Sequence, residues 1–267
     1  MECHWIRNAE CDLAALRDAS DGVAVLPLAS IESHGPHLPL GSDILCARDL
    51  VKRIVAEETV AVLPVLPYSW VAEARMRPGA VHVPSDHLIP QVEAICDEIH
   101  RNGFGKVVLL QCHGGNVALH QMMVKRMLER RKPYAVYSIG VFANIPVEMK
   151  DVLDSEQYGH ACEMETSMNL VAAPELVHLE RLGERTFPSQ ERPDVGDVLT
   201  PVDWTASHPQ MAVGEPQKAT PEKGERIMAA WAEGVVDTLR RIKRDEIVPA
   251  AMETYNRQVA DPQGGPP

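Results

Sequence analysis

The chain has 267 residues, 26 Lys and Arg against 38 Asp and Glu, a formal charge of −12, and a composition 45% apolar and 24% charged. That is globular composition, with enough length for a sizeable core. The acidic balance argues against a nucleic-acid partner, because nothing offsets phosphate charge. No run approaches about 18 apolar residues, so no membrane span is expected. The start, MECHWIRNAECDL, lacks the apolar stretch of a signal peptide. Six cysteines without a C-x-x-C pair suit reduced thiols and a cytoplasmic location.

In chain order, Val23–Ser30, Val60–Leu66, Val107–Cys112 and Tyr134–Val141 read as strands. Their near-continuous apolar character is that of strands covered on both faces. Helical patterns lie between them at Asp43–Glu58, Asp86–Asn102 and Ala118–Arg131. The basic run from Lys125 to Lys132 is a solvated face of the last of these. Further helices are expected from Glu163 to Ala172 and from Thr220 to about Lys243. Strand and helix in alternation imply an α/β fold, a mostly parallel sheet between helices. Residues 183–219, rich in Pro, Gly and Ser, read as a long surface excursion. One domain is expected over 1–250, followed by a poorly ordered tail over 251–267.

Ligand sites of parallel α/β sheets collect at the carboxyl ends of the strands, and three polar clusters fall there. After the first strand come Glu32 and His34, two apart on an extended segment and so on one side, with Asp43 returning after Gly35, Pro36, Pro39 and Gly41. This cluster is either a divalent-metal half-site or a turn with a capping Asp. After the third strand come His113, Gly114, Gly115 and Asn116, a tip that could bind metal, or a buried His on a glycine turn. The third cluster is His160, Cys162, Glu163 and Glu165. His160 and Glu163 are neighbours on one face if the segment is helical, which favours Glu163 over Glu165; both also suit a first helical turn. Together Glu32, His34, Asp43, His113 and Glu163 form an oxygen and nitrogen set suited to Zn²⁺, Mn²⁺ or Fe²⁺, with Asp43 able to bridge two ions.

The motifs PLASIESHGPHLPLGSD, VVLLQCHGGN and HACEMETS, with GEPQKATPEKG at 214–224, resemble those of the creatininase (creatinine amidohydrolase) family, in order, from about residue 23 to 240. The resemblance implies a three-layer αβα domain and a dinuclear metal centre that hydrolyses C–N bonds of non-peptide, often cyclic, amides. It assigns Glu32, Asp43 and His113 to one ion, His34, Asp43 and Glu163 to the other, and His160 to acid/base service of the leaving nitrogen. Amides at Gly114 and Gly115 would help stabilise an oxyanion. It also implies a small-molecule substrate and a homo-oligomer, often a hexamer. Family members acting on creatinine carry Tyr-Glu after the metal His, and tryptophans before the catalytic His. Here Gly114-Gly115 follow His113 and no Trp occurs between Trp70 and Trp204, which argues against creatinine itself. The H-G-G-N form is similar to members assigned to formamide deformylation, opening of an inositol-derived lactone, and peptide trimming in mycofactocin maturation. A lactonase or a peptidase is therefore the alternative chemistry, and a metal-free binding protein the alternative class. Pocket walls are expected from loops near 68–82, 142–159 and 200–214. Cys162 is either a thiol lining the site or an inert packed side chain.

Overall fold

The computed structural model describes residues 1–190, 195, 196 and 198–264. Its sheet contains β1 (Val23–Leu28), β2 (Ala61–Val62), β3 (Lys106–Gln111) and β4 (Ala135–Ile139), in the order β2-β1-β3-β4, every pair parallel. Alternate side chains of each strand feed different layers, as the two-residue period of a strand requires. Val23, Val25, Val108 and Leu110 face one core, and Ala24, Leu26, Val107 and Leu109 the other.

The first core is closed by α2 (Ser42–Glu57), α5 (Glu163–Ala172) and α7 (Pro221–Arg244). Trp231 of α7 is fully buried there, its ring 4.5 Å from that of Phe142. The second core takes α1 (Leu13–Ala19), α3 (Ser85–Arg101) and α4 (Val117–Glu129). The result is an α/β fold of three layers with a four-stranded parallel sheet. Among the described residues no helix is long and apolar enough to cross a membrane.

Three expectations need correction. The second strand is two residues long, because Pro64 and Pro67 interrupt the ladder; Leu66 rejoins it through an isolated bridge to Leu28. Residues 247–260 form a helix, α8 (Ile247–Ala260), where an irregular tail was expected from 251. The Asn256 side chain donates to the Lys132 carbonyl at 3.0 Å, tying α8 to the turn before β4; residues 265–267 lie outside the described residues. Nor is 183–219 merely surface. Phe187, Met211, Ala212 and Val213 are buried, and the segment carries the short helix α6 (Asp203–Ser207). Residues 191–194 and 197 lie outside the described residues.

Candidate metal centre

Asp43 is the second residue of α2, and the bends at Gly35 and Gly41 bring it back over the end of β1. Its carboxylate faces two imidazoles at once. Oδ1 lies 3.2 Å from His34 Nε2, and Oδ2 lies 2.9 Å from His113 Nδ1. Ser30 Oγ donates to Oδ2 at 2.8 Å and fixes the carboxylate plane. Glu32 Oε1 is 3.1 Å from His113 Nδ1. Glu32, His34, Asp43 and His113 are all buried, between 1% and 8% exposed. Besides Glu32–His34–His160, two further trios have donor atoms within 4.8 Å of one another, Glu32–Asp43–His113 and His34–Asp43–Glu165. They share Asp43, which sits as a bridging ligand would.

The second trio contains Glu165, where the helix-face argument favours Glu163. That argument requires a helix running through His160, and the chain is not helical there. Ala161 adopts a left-handed φ of 48°, Cys162 is the N-cap, and α5 begins at Glu163. Glu165 is the third residue of α5, the place from which an acidic side chain reaches back to the chain entering the helix. Its Oε2 accepts the Ala161 N–H at 2.6 Å and lies 3.8 Å from His34 Nε2.

Glu163 points away, into a different set of bonds. Its buried carboxylate accepts from the backbone of Asp154 (3.0 Å) and Ser155 (2.7 Å) and pairs closely with Lys223. Lys223 belongs to the motif at 214–224, so that motif serves this junction. The following Gly224 is required because a Cβ there would enter the Ser167 carbonyl of α5. The signal for Glu165 was its third position in the first helical turn; the Lys223 partner of Glu163 could not be read locally.

His160 Nε2 lies 2.7 Å from the Ser33 carbonyl and donates to it, leaving Nδ1 as the acceptor. Its ring lies over His34, centroids 4.2 Å apart, and meets Trp204 edge-on at 5.3 Å. Glu32, Asp43, Glu73, His113, Gly114, Gly115, His160, Glu165, Trp204 and others enclose a cavity of about 250 Å³. All three expected loops contribute, through Glu73, Gly159 and Trp204 with Met211. Glu73 and Trp204 were missed as site residues; both arrive from segments without a local motif. A second cavity of about 270 Å³ shares Asp43, Gly114, Gly159 and Glu165. A larger one, about 740 Å³, lies under α8 at the opposite end of the strands and holds none of these groups. Cys162 is fully buried, burial pushes its thiol up to about 12, and it lines neither cavity at the site.

The electrostatics fit cations. Burial opposes charge on His34, but Asp43 first, then Glu165 and Glu32, outweigh it and push the imidazole up to about 10. Against the same opposition, Glu32 and Asp43 raise His113 well above its usual range. Burial, reinforced by Asp43 and Glu32, pushes Glu165 up to about 7 although His34 lowers it. Burial and then the neighbouring His34 charge bring His160 down to about 4. Protons on His34 and His113 thus supply the positive charge that the buried carboxylates demand, where divalent ions would do so better. His34 Nε2 and Glu32 Oε1 are buried without a well-directed hydrogen bond, as expected of atoms shaped for ligation.

Similarities to known proteins point to one family. The family model described as "Creatininase: Creatinine amidohydrolase" matches residues 9–239. The chain is 26% identical to the creatinine amidohydrolase of Pseudomonas putida, over 83% of this chain and 90% of that one. It is 24% identical to 3-dehydro-scyllo-inosose hydrolase of Thermotoga maritima, over 90% and 79%. It is 28% identical to the mycofactocin precursor peptide peptidase of Mycolicibacterium smegmatis, over 84% and 86%. Among solved structures, "Creatininase Mn" superposes with a TM-score of 0.79 at 22% identity, covering 92% of this chain and 100% of that one. A creatininase variant of "Zn-Zn type" gives the same score, identity and coverage. The chain belongs to the creatininase family of hydrolases.

Proposed function

We propose that the chain is a dinuclear metal-dependent amidohydrolase that cleaves a non-peptide C–N bond, a cyclic amide or a formamide. The observation that carries this reading is the pair of ligand trios sharing Asp43, buried but for the partly exposed Glu165, and opening on a cavity that also holds His160. Glu32, Asp43 and His113 would hold one ion, and His34, Asp43 and Glu165 the other, Zn²⁺ or Mn²⁺ by the donor set and by the named relatives. Bound divalent ions supply Lewis acidity and a source of hydroxide near neutral pH.

The remaining steps fall to the chain itself. His160, fixed by its Ser33 bond, presents Nδ1 as a base and can return that proton to a departing nitrogen. Gly114 and Gly115 leave the backbone bare at the cavity floor. Trp204 supplies a flat apolar wall beside His160. At about 250 Å³ the cavity is at the small end for ligand sites, which supports a compact substrate over a peptide.

Hydrolysis of a lactone is the second reading, supported by the inosose hydrolase relative. The same ligand set would serve it, with His160 less needed because an alkoxide leaves more easily than an amide nitrogen. A small-molecule substrate, and assembly as a homo-oligomer, are part of the proposal. The test is metal analysis of the purified protein, then a screen of cyclic amides, formamides and matched lactones with Zn²⁺ or Mn²⁺ added. Metal-dependent turnover of amides over lactones supports the first reading, and the reverse order supports the second. A folded protein that binds no divalent ion would refute both.

A further inference from the structure

Glu73 lies on a short helical turn, Ala72–Met76, that none of the four motifs includes. Its backbone is held in place: Val71 and Ala74 are buried against Met211, and the Val71 N–H donates to His82 Nδ1 at 3.2 Å. The carboxylate enters the metal cavity, where Oε2 is buried without a partner. A second buried atom without a partner stands close by, His113 Nε2, in a residue only 4% exposed. The other ring nitrogen, Nδ1, is the one turned to Glu32 and Asp43.

Gly115 borders both groups, on one gap between them. A Cβ on Gly115 would stand 2.5 Å from His113 Nε2 and 2.6 Å from Glu73 Oε1, whereas a Cβ on Gly114 would meet nothing within 4 Å. Only a residue without a side chain leaves that gap open. We infer that Glu73 is the outer partner of His113: a bridging water accepts the Nε2–H hydrogen bond and donates to the Glu73 carboxylate, which keeps Nδ1 free to bind a cation. Gly115 is the bare floor that leaves room for the bridge between them. A metal-binding imidazole ordinarily donates its far N–H to such a partner, which fixes tautomer and ring orientation. Glu73 is thus a positioning residue for the ion at Glu32, Asp43 and His113. The inference rests on the metal reading given above.

The test needs no substrate. Zn²⁺ affinity is measured by chelator competition on the 267-residue wild-type chain first, then on Glu73→Ala, Glu73→Gln and Gly115→Ala, with melting temperatures of the metal-free proteins. The Co²⁺-loaded forms are compared by visible absorption. Glu73→Ala is expected to lose about 10–100-fold in affinity for one ion and little for the other, the usual effect of removing an outer partner. Its Co²⁺ spectrum should shift while its melting temperature holds. Glu73→Gln, whose amide oxygen still accepts a hydrogen bond, should recover part of the loss, and Gly115→Ala should resemble Glu73→Ala. Wild-type affinity for both ions in Glu73→Ala would overturn the inference while leaving the metal centre intact. Equal weakening of both ions together with a lower melting temperature would overturn it as well, by making Glu73 a general support. A wild-type protein without divalent-ion affinity would remove the metal reading itself, a distinct result.

Discussion

Replacing Glu163 and Glu165 one at a time separates fold from site within three residues. Glu163 accepts the backbone N–H groups of Asp154 and Ser155 and pairs with Lys223, all from a fully buried side chain. Glu163→Gln keeps one acceptor oxygen and turns an NH₂ group toward donors. Breaking a buried pair from one side costs roughly 3–5 kcal/mol. The low end, about 3 kcal/mol, is appropriate because Asp154 still faces Lys223 at 2.7 Å. For a chain of this size that is a fall of roughly 6–12 °C in melting temperature. The Glu163 carboxyl is held below its ordinary range by Lys223 and Ser155, against its burial, so this stabilisation is present at neutral pH and fades as pH falls through the folded value.

Glu165→Gln should behave in the opposite way. Its charge is disfavoured in the metal-free fold, where the carboxyl is pushed up to about 7, so removing the charge leaves the metal-free melting temperature unchanged or higher. The ion at His34 and Asp43 loses a charged ligand, and its affinity should fall by more than the roughly 10–100-fold expected for an outer partner. Calorimetric melting of the metal-free variants, with metal content after dialysis, reads both effects. Lost metal at a wild-type melting temperature in Glu163→Gln, with both ions kept in Glu165→Gln, would refute the reasoning.

Asp43→Ala should fold yet lose both ions, because each oxygen of Asp43 faces a different trio; close to two ions in the folded variant would exclude the bridging role. His160→Ala should keep both ions and lower kcat by about 10²–10⁴ on any substrate the screen identifies, with loss of the pH limb that reports the imidazole; retained metal with a wild-type rate would exclude it. Metal affinity should rise with pH, since His34, pushed up to about 10, and His113 bind protons that an ion must displace. Each displaced proton contributes about tenfold per pH unit, read by chelator competition between pH 6 and 8. The same shift makes the metal-free protein lose stability as pH rises toward 10, because a raised imidazole stabilises only while protonated. Gly224→Ala should separate α5 from α7 at the Ser167 carbonyl and lower the melting temperature without changing metal stoichiometry, which a denaturation series with metal analysis checks.

What the amino-acid sequence determined by itself was whatever depends on neighbours along the chain. The apolar runs over 23–30 and 107–112 read as strands buried on both faces, and parallel pairing followed from the helices between them. Glu32, His34, Asp43 and His113 were legible because each sits at a strand end or a turn whose glycines and prolines dictate the local path. Tertiary structure decided the rest. The choice of Glu165 over Glu163 turns on a left-handed φ at Ala161 and on Lys223, sixty residues away. Glu73 and Trp204 reach the cavity from short helical segments placed by packing on Met211 and not by any periodic pattern. Residues 251–260 look like part of a tail until the helix over 247–260 docks beside β4, where Lys132 receives Asn256. Local pattern reports which backbone states a segment prefers. Which side chains meet depends on how far-separated segments share one buried volume, and that is a property of the packed molecule.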